Sequence, residues 1–277
     1  MKKYKDDEIQ VLGSPKTNFK PFKWIVLCVI SILGLLLIYM FRNKNHLNEI
    51  NTPNNITEKV TIMQNDTIMK PNVKMFTDSI NDVVINIYSL HNLIAELSLE
   101  IPEKTDTTVF FVVQAADIRK DNKEILGDFI LKGKQLSKGK RKTGYCAIID
   151  GKISIGNTIN DEVKEYCISN QYDLFRQYPL VIDGEIQENH LKGKAVRRAL
   201  AKQDNDLYIV ESCNRESIYD FSEALSDMGF THALYLVGGT SYGWWRKDSA
   251  TTYDLGIYKK KPLPNTSYII FRSIKSH

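Results

Sequence analysis

The apolar positions along this chain follow one pattern up to residue 41, nearly vanish, and return in another. Residues 24–41, WIVLCVISILGLLLIYMF, run eighteen positions without a charge. At 1.5 Å rise per residue, that is about the minimum for crossing a hydrocarbon core of ~30 Å. Lys23 and Arg42 close the run, and Trp24 and Tyr39 suit the interfacial belts. It ends in Tyr39-Met40-Phe41-Arg42 rather than in small residues, so it reads as an uncleaved signal anchor and not as a cleavable signal peptide. Residues 42–72 are polar and rich in asparagine, with Pro53 and Pro71. That composition buries too little apolar surface to fold alone and reads as a stalk, with a small strand pair around 60–63 as the competing reading.

From Val73 onward short apolar runs recur. VVINIY (83–88), TVFFVV (108–113), YCAIID (145–150), YPLVID (178–183) and LYIVES (207–212) are rich in β-branched and aromatic residues and predict strands. Asp150-Gly151 and Asp183-Gly184 each sit between two such runs and predict type I′ hairpins, because that dipeptide readily takes positive φ. The period changes at 217–228. Ser217 with Asp220 forms a capping pattern, Ile218, Phe221, Leu225 and Met228 line one face, and Gly229 supplies the stop. A second helix is predicted at 161–168. HALYLV then reads as a short buried strand running into Gly238-Gly239-Thr240-Ser241. The expected fold class is α+β, a largely antiparallel sheet with a few packed helices spanning 73–277, preceded by one transmembrane helix.

Composition narrows the setting. With 43% hydrophobic and 25% charged residues the chain is of ordinary globular make-up, and a net charge of +4 without a dense basic block gives no reason to expect a nucleic-acid partner. Lys2, Lys3, Lys5, Lys16, Lys20 and Lys23 precede the apolar run, and only Arg42 and Lys44 follow it closely. The expected orientation therefore keeps a cytoplasmic tail at 1–23 and exports everything after Arg42, giving a single-pass inner-membrane protein with a periplasmic or otherwise extracytoplasmic domain. Cys28 falls within the anchor, and Cys146, Cys167 and Cys213 allow at most one internal disulfide. The five histidines are scattered and no metal-ligand spacing is visible. No cofactor is implied; a divalent cation is compatible with phosphate chemistry but has no readable ligand set.

The stretch after the 217–228 helix carries the most specific signal. Adjacent glycines allow φ > 0 and let an anion approach main-chain N–H groups, with the Thr240 and Ser241 hydroxyls as further donors. The order Met228-Gly229, then Ala233-Leu234-Tyr235-Leu236-Val237-Gly238-Gly239-Thr240-Ser241, resembles the C-terminal signature of the phosphodiester glycosidase family. Three more landmarks of that family have counterparts in order: VFFVVQAAD (109–117), with Gln114 in an asparagine position; Gln177-Tyr178-Pro179-Leu180-Val181-Ile182-Asp183-Gly184; and Arg197-Arg198-Ala199-Leu200-Ala201. The resemblance covers roughly residues 95–275. The chain departs from it at Val237, where the family has aspartate, and at Thr240 and Ala201, where it has glycine.

The resemblance implies hydrolysis of a sugar-1-phosphodiester, which needs stabilisation of the phosphate leaving group and an acid or base at the anomeric side. Arg197 is the expected phosphate ligand, because a guanidinium fork meets phosphate oxygens in pairs. Asp117 and Glu211 are the expected proton-transfer residues, whereas Asp183 is most simply a turn residue. Gln114, Gln177, Gly238, Gly239, Thr240, Ser241 and Trp244 are the expected substrate contacts, Trp244 as a platform for a sugar ring. Of adjacent Trp244 and Trp245, one is expected inside and one outside. Two functions compete. One is a membrane-anchored exported hydrolase acting on a phosphate-linked carbohydrate. The other is an inactive relative, with Val237 marking the loss, that binds glycan or a protein in the cell envelope.

Overall fold

The structure, a computed structural model, describes residues 70–139, 142–260 and 263–274. In chain order it forms β1 (Asn72–Ile80), β2 (Val83–His91), β3 (Leu93–Ser98), β4 (Val109–Gln114), β5 (Phe129–Leu131), β6 (Lys134–Ser137), β7 (Gly144–Ile149), β8 (Lys152–Asn157) and α1 (Glu162–Ser169). There follow β9 (Asp173–Gln177), β10 (Pro179–Ile182), β11 (Glu185–Ile186), β12 (Ala195–Gln203), β13 (Asp206–Glu216), α2 (Ile218–Asp227), β14 (His232–Leu236), β15 (Gly243–Arg246), β16 (Thr252–Leu255) and β17 (Tyr268–Ser273). The apolar run at 24–41 and all but the last residues of the polar segment at 42–72 lie outside the described residues. Among the described residues no helix is long and apolar enough to cross a membrane.

The strands form three sheets rather than one, and every pairing between them is antiparallel: seven strands in the order β1-β2-β13-β12-β14-β10-β11, five as β16-β15-β4-β17-β3, and five as β6-β5-β9-β7-β8. The seventeen strands among the described residues exceed what one strongly twisted open sheet carries, so the set divides. With two helices among the described residues, the class is α+β or mainly β. A central cluster draws on all three sheets, including Tyr88, Phe111, Phe175, Leu200 and Phe271, each 3% exposed or less. The unit Thr67–His277 is compact by itself, and its hydrophobic clusters are built from residues 73–271.

Local chemistry accounts for the joints. Asp150 and Gly151 have φ of 50° and 77°, and Asp183 and Gly184 have 52° and 82°, so both Asp-Gly pairs close two-residue hairpins as expected. Helix α2 starts where the Ser217 hydroxyl accepts the Asp220 N–H at 3.0 Å, a cap that contributes ~1 kcal/mol. It buries Ile218, Phe221, Ala224 and Leu225 against the outer face of the seven-stranded sheet, and Gly229 at φ 87° turns the chain into β14. Helix α1 covers the third sheet, burying Cys167 beside Ala147 and Leu174. Cys146, Cys167 and Cys213 are all free thiols.

Candidate functional site

Strand ends from all three sheets meet at one place. Asp117 lies just past β4, Lys142 just before β7, Gln177 ends β9, and Gly238 follows β14. A single residue, Tyr178, separates β9 in the third sheet from β10 in the seven-stranded sheet. That crossing brings Gln177 against the residues after β4: its Nε2 donates to Asp117 Oδ2 at 3.1 Å and to the Ala115 carbonyl at 3.4 Å.

The same Oδ2 accepts a hydrogen bond from Lys142 Nζ at 2.6 Å. The Lys142 side chain is fully buried, its ammonium standing 5.0 Å over the Tyr178 ring, while Asp117 keeps 34% of its side chain exposed. Burial pushes the Lys142 pKa down, and the Asp117 charge partly restores it. Asp117 is thus gripped on one oxygen from behind. Asp117 borders a cleft of about 460 Å³, and both of these side-chain donors reach the same oxygen.

The floor of that cleft is the glycine turn. The Ser241 N–H donates to the Gly238 carbonyl at 3.2 Å and closes a tight turn, with Gly239 at φ 64°. Gly238 is needed for a different reason: a Cβ there would lie 2.5 Å from the Val196 carbonyl oxygen and 3.0 Å from the Arg198 nitrogen. Within the turn the amides of Gly239 and Thr240 make no hydrogen bond among the described residues, as the central amides of such a turn leave them free to do. Val237, Gly238, Thr240 and Ser241 border the cleft, and Gly239 lies behind them. The opposite wall is segment 256–260, pinned by an Ile257 N–H bond to the Thr240 carbonyl at 3.2 Å and by Gly256, whose Cα approaches the Ser241 carbonyl too closely for a side chain.

The expected residues divide. Asp117, Gln114, Gly238, Thr240 and Ser241 border the cleft, and Gln177 supports Asp117 from behind while fully buried. Ser241 spends its hydroxyl on the Val237 carbonyl at 2.9 Å, and Gln114 donates to the Ala116 carbonyl at 3.0 Å. Arg197 has its backbone beside Gly238, yet its guanidinium turns away from the cleft to the Glu216 carbonyl at 3.0 Å and the Gly193 carbonyl at 2.6 Å. It is 5% exposed there and does not line the cleft in which a phosphate ligand is expected. Its remaining contact is the phenol of Tyr235, whose pKa is raised by burial and by the Asp117 charge and lowered in part by Arg197 and the Gly238 amide.

Glu211 is also committed elsewhere. It pairs across the ladder with Arg198, whose Nε and Nη2 both reach Glu211 Oε2, while Nη1 donates to the Val237 carbonyl at 3.1 Å. This pair braces the glycine turn from beneath, so Glu211 is not a cleft carboxylate. Trp244, 1% exposed, packs with Val109, Val112 and Ile270 in the interior and offers no face to a sugar. Trp245 is buried too, edge-on to Tyr88 at 5.5 Å and stacked on Tyr253 at 4.9 Å, because β15 lies inside its sheet with both faces covered.

Sequence reasoning missed Lys142, Tyr178 and Tyr235, and with them the cleft wall of Tyr242, Tyr258, Lys259 and Lys260. Among the described residues no group of three or more His, Cys, Asp or Glu is placed to hold a metal ion.

Comparison with known proteins places the fold. The chain is similar to the catalytic domain of zebrafish N-acetylglucosamine-1-phosphodiester alpha-N-acetylglucosaminidase, a structure described as auto-inhibited by its pro-peptide, with a TM-score of 0.52 and 13% identity over 76% of this chain and 85% of that one. It is also similar to a hypothetical protein from Synechocystis, with a TM-score of 0.51 and 12% identity over 72% of this chain and 62% of that one. No protein-family model and no curated protein matches the sequence. At these identities the likeness is one of fold alone, a shared arrangement of antiparallel sheets.

Proposed function

We propose that the chain is a membrane-anchored, exported hydrolase that cleaves a glycosyl-1-phosphodiester. The observation that carries this reading is the Asp117 carboxylate, fixed on one oxygen by Lys142 and Gln177 and bordering the cleft that the 238–241 turn also lines. Glycosidases that expel an alcohol use two carboxylates, one to protonate the leaving oxygen. A phosphate monoester leaves as an already stable anion, so a single carboxylate suffices. In the proposed step Asp117 takes a proton from water as the water oxygen attacks the anomeric carbon. The carbon–oxygen bond to phosphate breaks with its electron pair on the phosphate. The free Thr240 amide and the Thr240 hydroxyl, on the cleft, stabilise that developing charge. The fold likeness to a phosphodiester glycosidase domain supports the substrate class. The lysine-rich first 23 residues and the apolar run at 24–41 support anchoring with the domain outside the cytoplasm.

One feature favours the competing reading, an inactive glycan-binding module. Val237 borders the cleft where the resembled family carries aspartate, and the guanidinium of Arg197 faces elsewhere. Release of free sugar from a UDP-sugar or a simple sugar-1-phosphodiester by fragment 67–277 tests the choice. Turnover supports the hydrolase; glycan binding without turnover moves the assignment to the binding module.

A further inference from the structure

The cleft has two chemically different ends. Asp117 and the glycine turn form the polar end, and the outer lip is apolar and basic. Ile257, Tyr258 and Leu263 are 57%, 66% and 49% exposed, and Lys259 and Lys260 stand exposed between them. Large apolar side chains scattered singly over a surface need no explanation, but these share one rim with two lysines. Ile101, also on this cleft, extends the apolar wall inward, and Tyr242 meets the Tyr258 ring edge-on at 5.1 Å. The Ile257 and Gly256 contacts to the 238–241 turn hold this lip at a fixed place beside the proposed reaction centre.

Aliphatic residues to enter the acyl region, a tyrosine at the headgroup level and lysines to meet anionic lipid form the combination an interfacial surface needs. We infer that this lip docks on an anionic lipid bilayer, and that the substrate is a glycosyl phosphodiester whose leaving group is carried by a membrane lipid. The inference rests on the hydrolase reading for its substrate, but the docking stands apart from it. Three features of the chain single out a bilayer from other occupants: the charge complementarity of Lys259 and Lys260, the continuity of the apolar lip with the cleft interior, and the apolar run at 24–41 on the same chain, which keeps the domain at a membrane.

The test is sedimentation of fragment 67–277 with vesicles of phosphatidylcholine alone or with about a third phosphatidylglycerol, after circular dichroism and cooperative melting show that fragment and variants are folded. The fragment is expected to partition onto the anionic vesicles and to release as salt rises. I257S/L263S is expected to weaken partitioning about tenfold or more. K259E/K260E is expected to weaken it by at least roughly fivefold per lysine and to remove most of the salt dependence. A folded fragment that ignores anionic vesicles, or binds them equally well in both variants, overturns the docking. Concentration-dependent dimerisation lost in I257S/L263S, without vesicle binding, assigns the lip to a second copy of the chain instead. Hydrolysis of a water-soluble sugar-1-phosphodiester is scored separately. Vesicle binding without that hydrolysis rejects the hydrolase and keeps the docking, and hydrolysis without vesicle binding does the reverse.

Discussion

Replacing Lys142 by methionine probes how Asp117 is held. Lys142 is fully buried, Asp117 is 34% exposed, and their atoms lie 2.6 Å apart. Where the buried amine has given up its proton and the unfolded chain still holds it, stability changes with pH by up to ~1.4 kcal/mol per unit. Methionine fills much of the same space, and Gln177 still donates to Oδ2 at 3.1 Å, so the carboxylate keeps its orientation. Burial already holds the ammonium below its ordinary pKa. The folded protein therefore binds fewer protons than the unfolded chain in the window below 10.5, and burying that charge costs stability which returns as pH rises through the window. The Lys142→Met substitution removes this cost, and thermal stability at neutral pH is expected to hold. The assay is urea unfolding of wild type and variant at a series of pH values below 10.5. Relative to Lys142→Met, the wild type should gain stability as pH rises through that window. A folded Lys142→Met protein whose stability runs parallel to that of the wild type across the window would refute the reasoning.

Other consequences can be checked by unfolding. Arg198→Met leaves the Glu211 carboxylate without its buried partner under the glycine turn and is expected to lose ~3–5 kcal/mol in urea melts, with Glu211→Gln in the same chain recovering part of it. Gly238→Ala drives a methyl into the Val196 carbonyl and should cost toward the upper end of ~1–3 kcal/mol, whereas Gly239→Ala meets only the Val196 carbonyl oxygen at 4.0 Å, an ordinary contact, and costs roughly 1–2 kcal/mol from its φ of 64° alone; equal losses would contradict the assigned roles. Burial pushes the Cys146 thiol up, and the Cys167 thiol up to about 11. The folded protein keeps these protons while the unfolded chain loses them above about pH 9, so stability should fall with rising pH there, approaching ~1.4 kcal/mol per pH unit per thiol. Cys146→Ala with Cys167→Ala should flatten that slope in melts recorded between about pH 8 and 10.

The parts of the fold readable from sequence are those set by local chemistry. Ser217, the apolar face of α2 and Gly229 mark a helix without reference to the rest of the chain, and each Asp-Gly pair dictates its own turn. The division into three sheets depends on pairings such as β2 with β13, which no local pattern encodes. At the site, Arg197 and Arg198 are neighbours on a strand and point to opposite faces. The bulge between Val196 and Arg198 and the register that sets Arg198 opposite Glu211 decide which arginine braces the turn. Tertiary placement alone exposes Lys142, since in KGKRKTG it looks like one member of a solvated charge run. Trp244 and Trp245 miss the expected alternation because it holds for a strand with one wet face, and β15 has none.

The most direct test of the account is Asp117→Asn assayed for sugar release from a water-soluble sugar-1-phosphodiester. The amide keeps the size of the side chain and can still accept a hydrogen bond from Lys142, so the fold should persist while the proton acceptor on the cleft is gone. The account predicts a loss of about 10²–10⁴-fold in kcat in a protein that still melts cooperatively above the assay temperature. Wild-type turnover in a folded Asp117→Asn protein would contradict it.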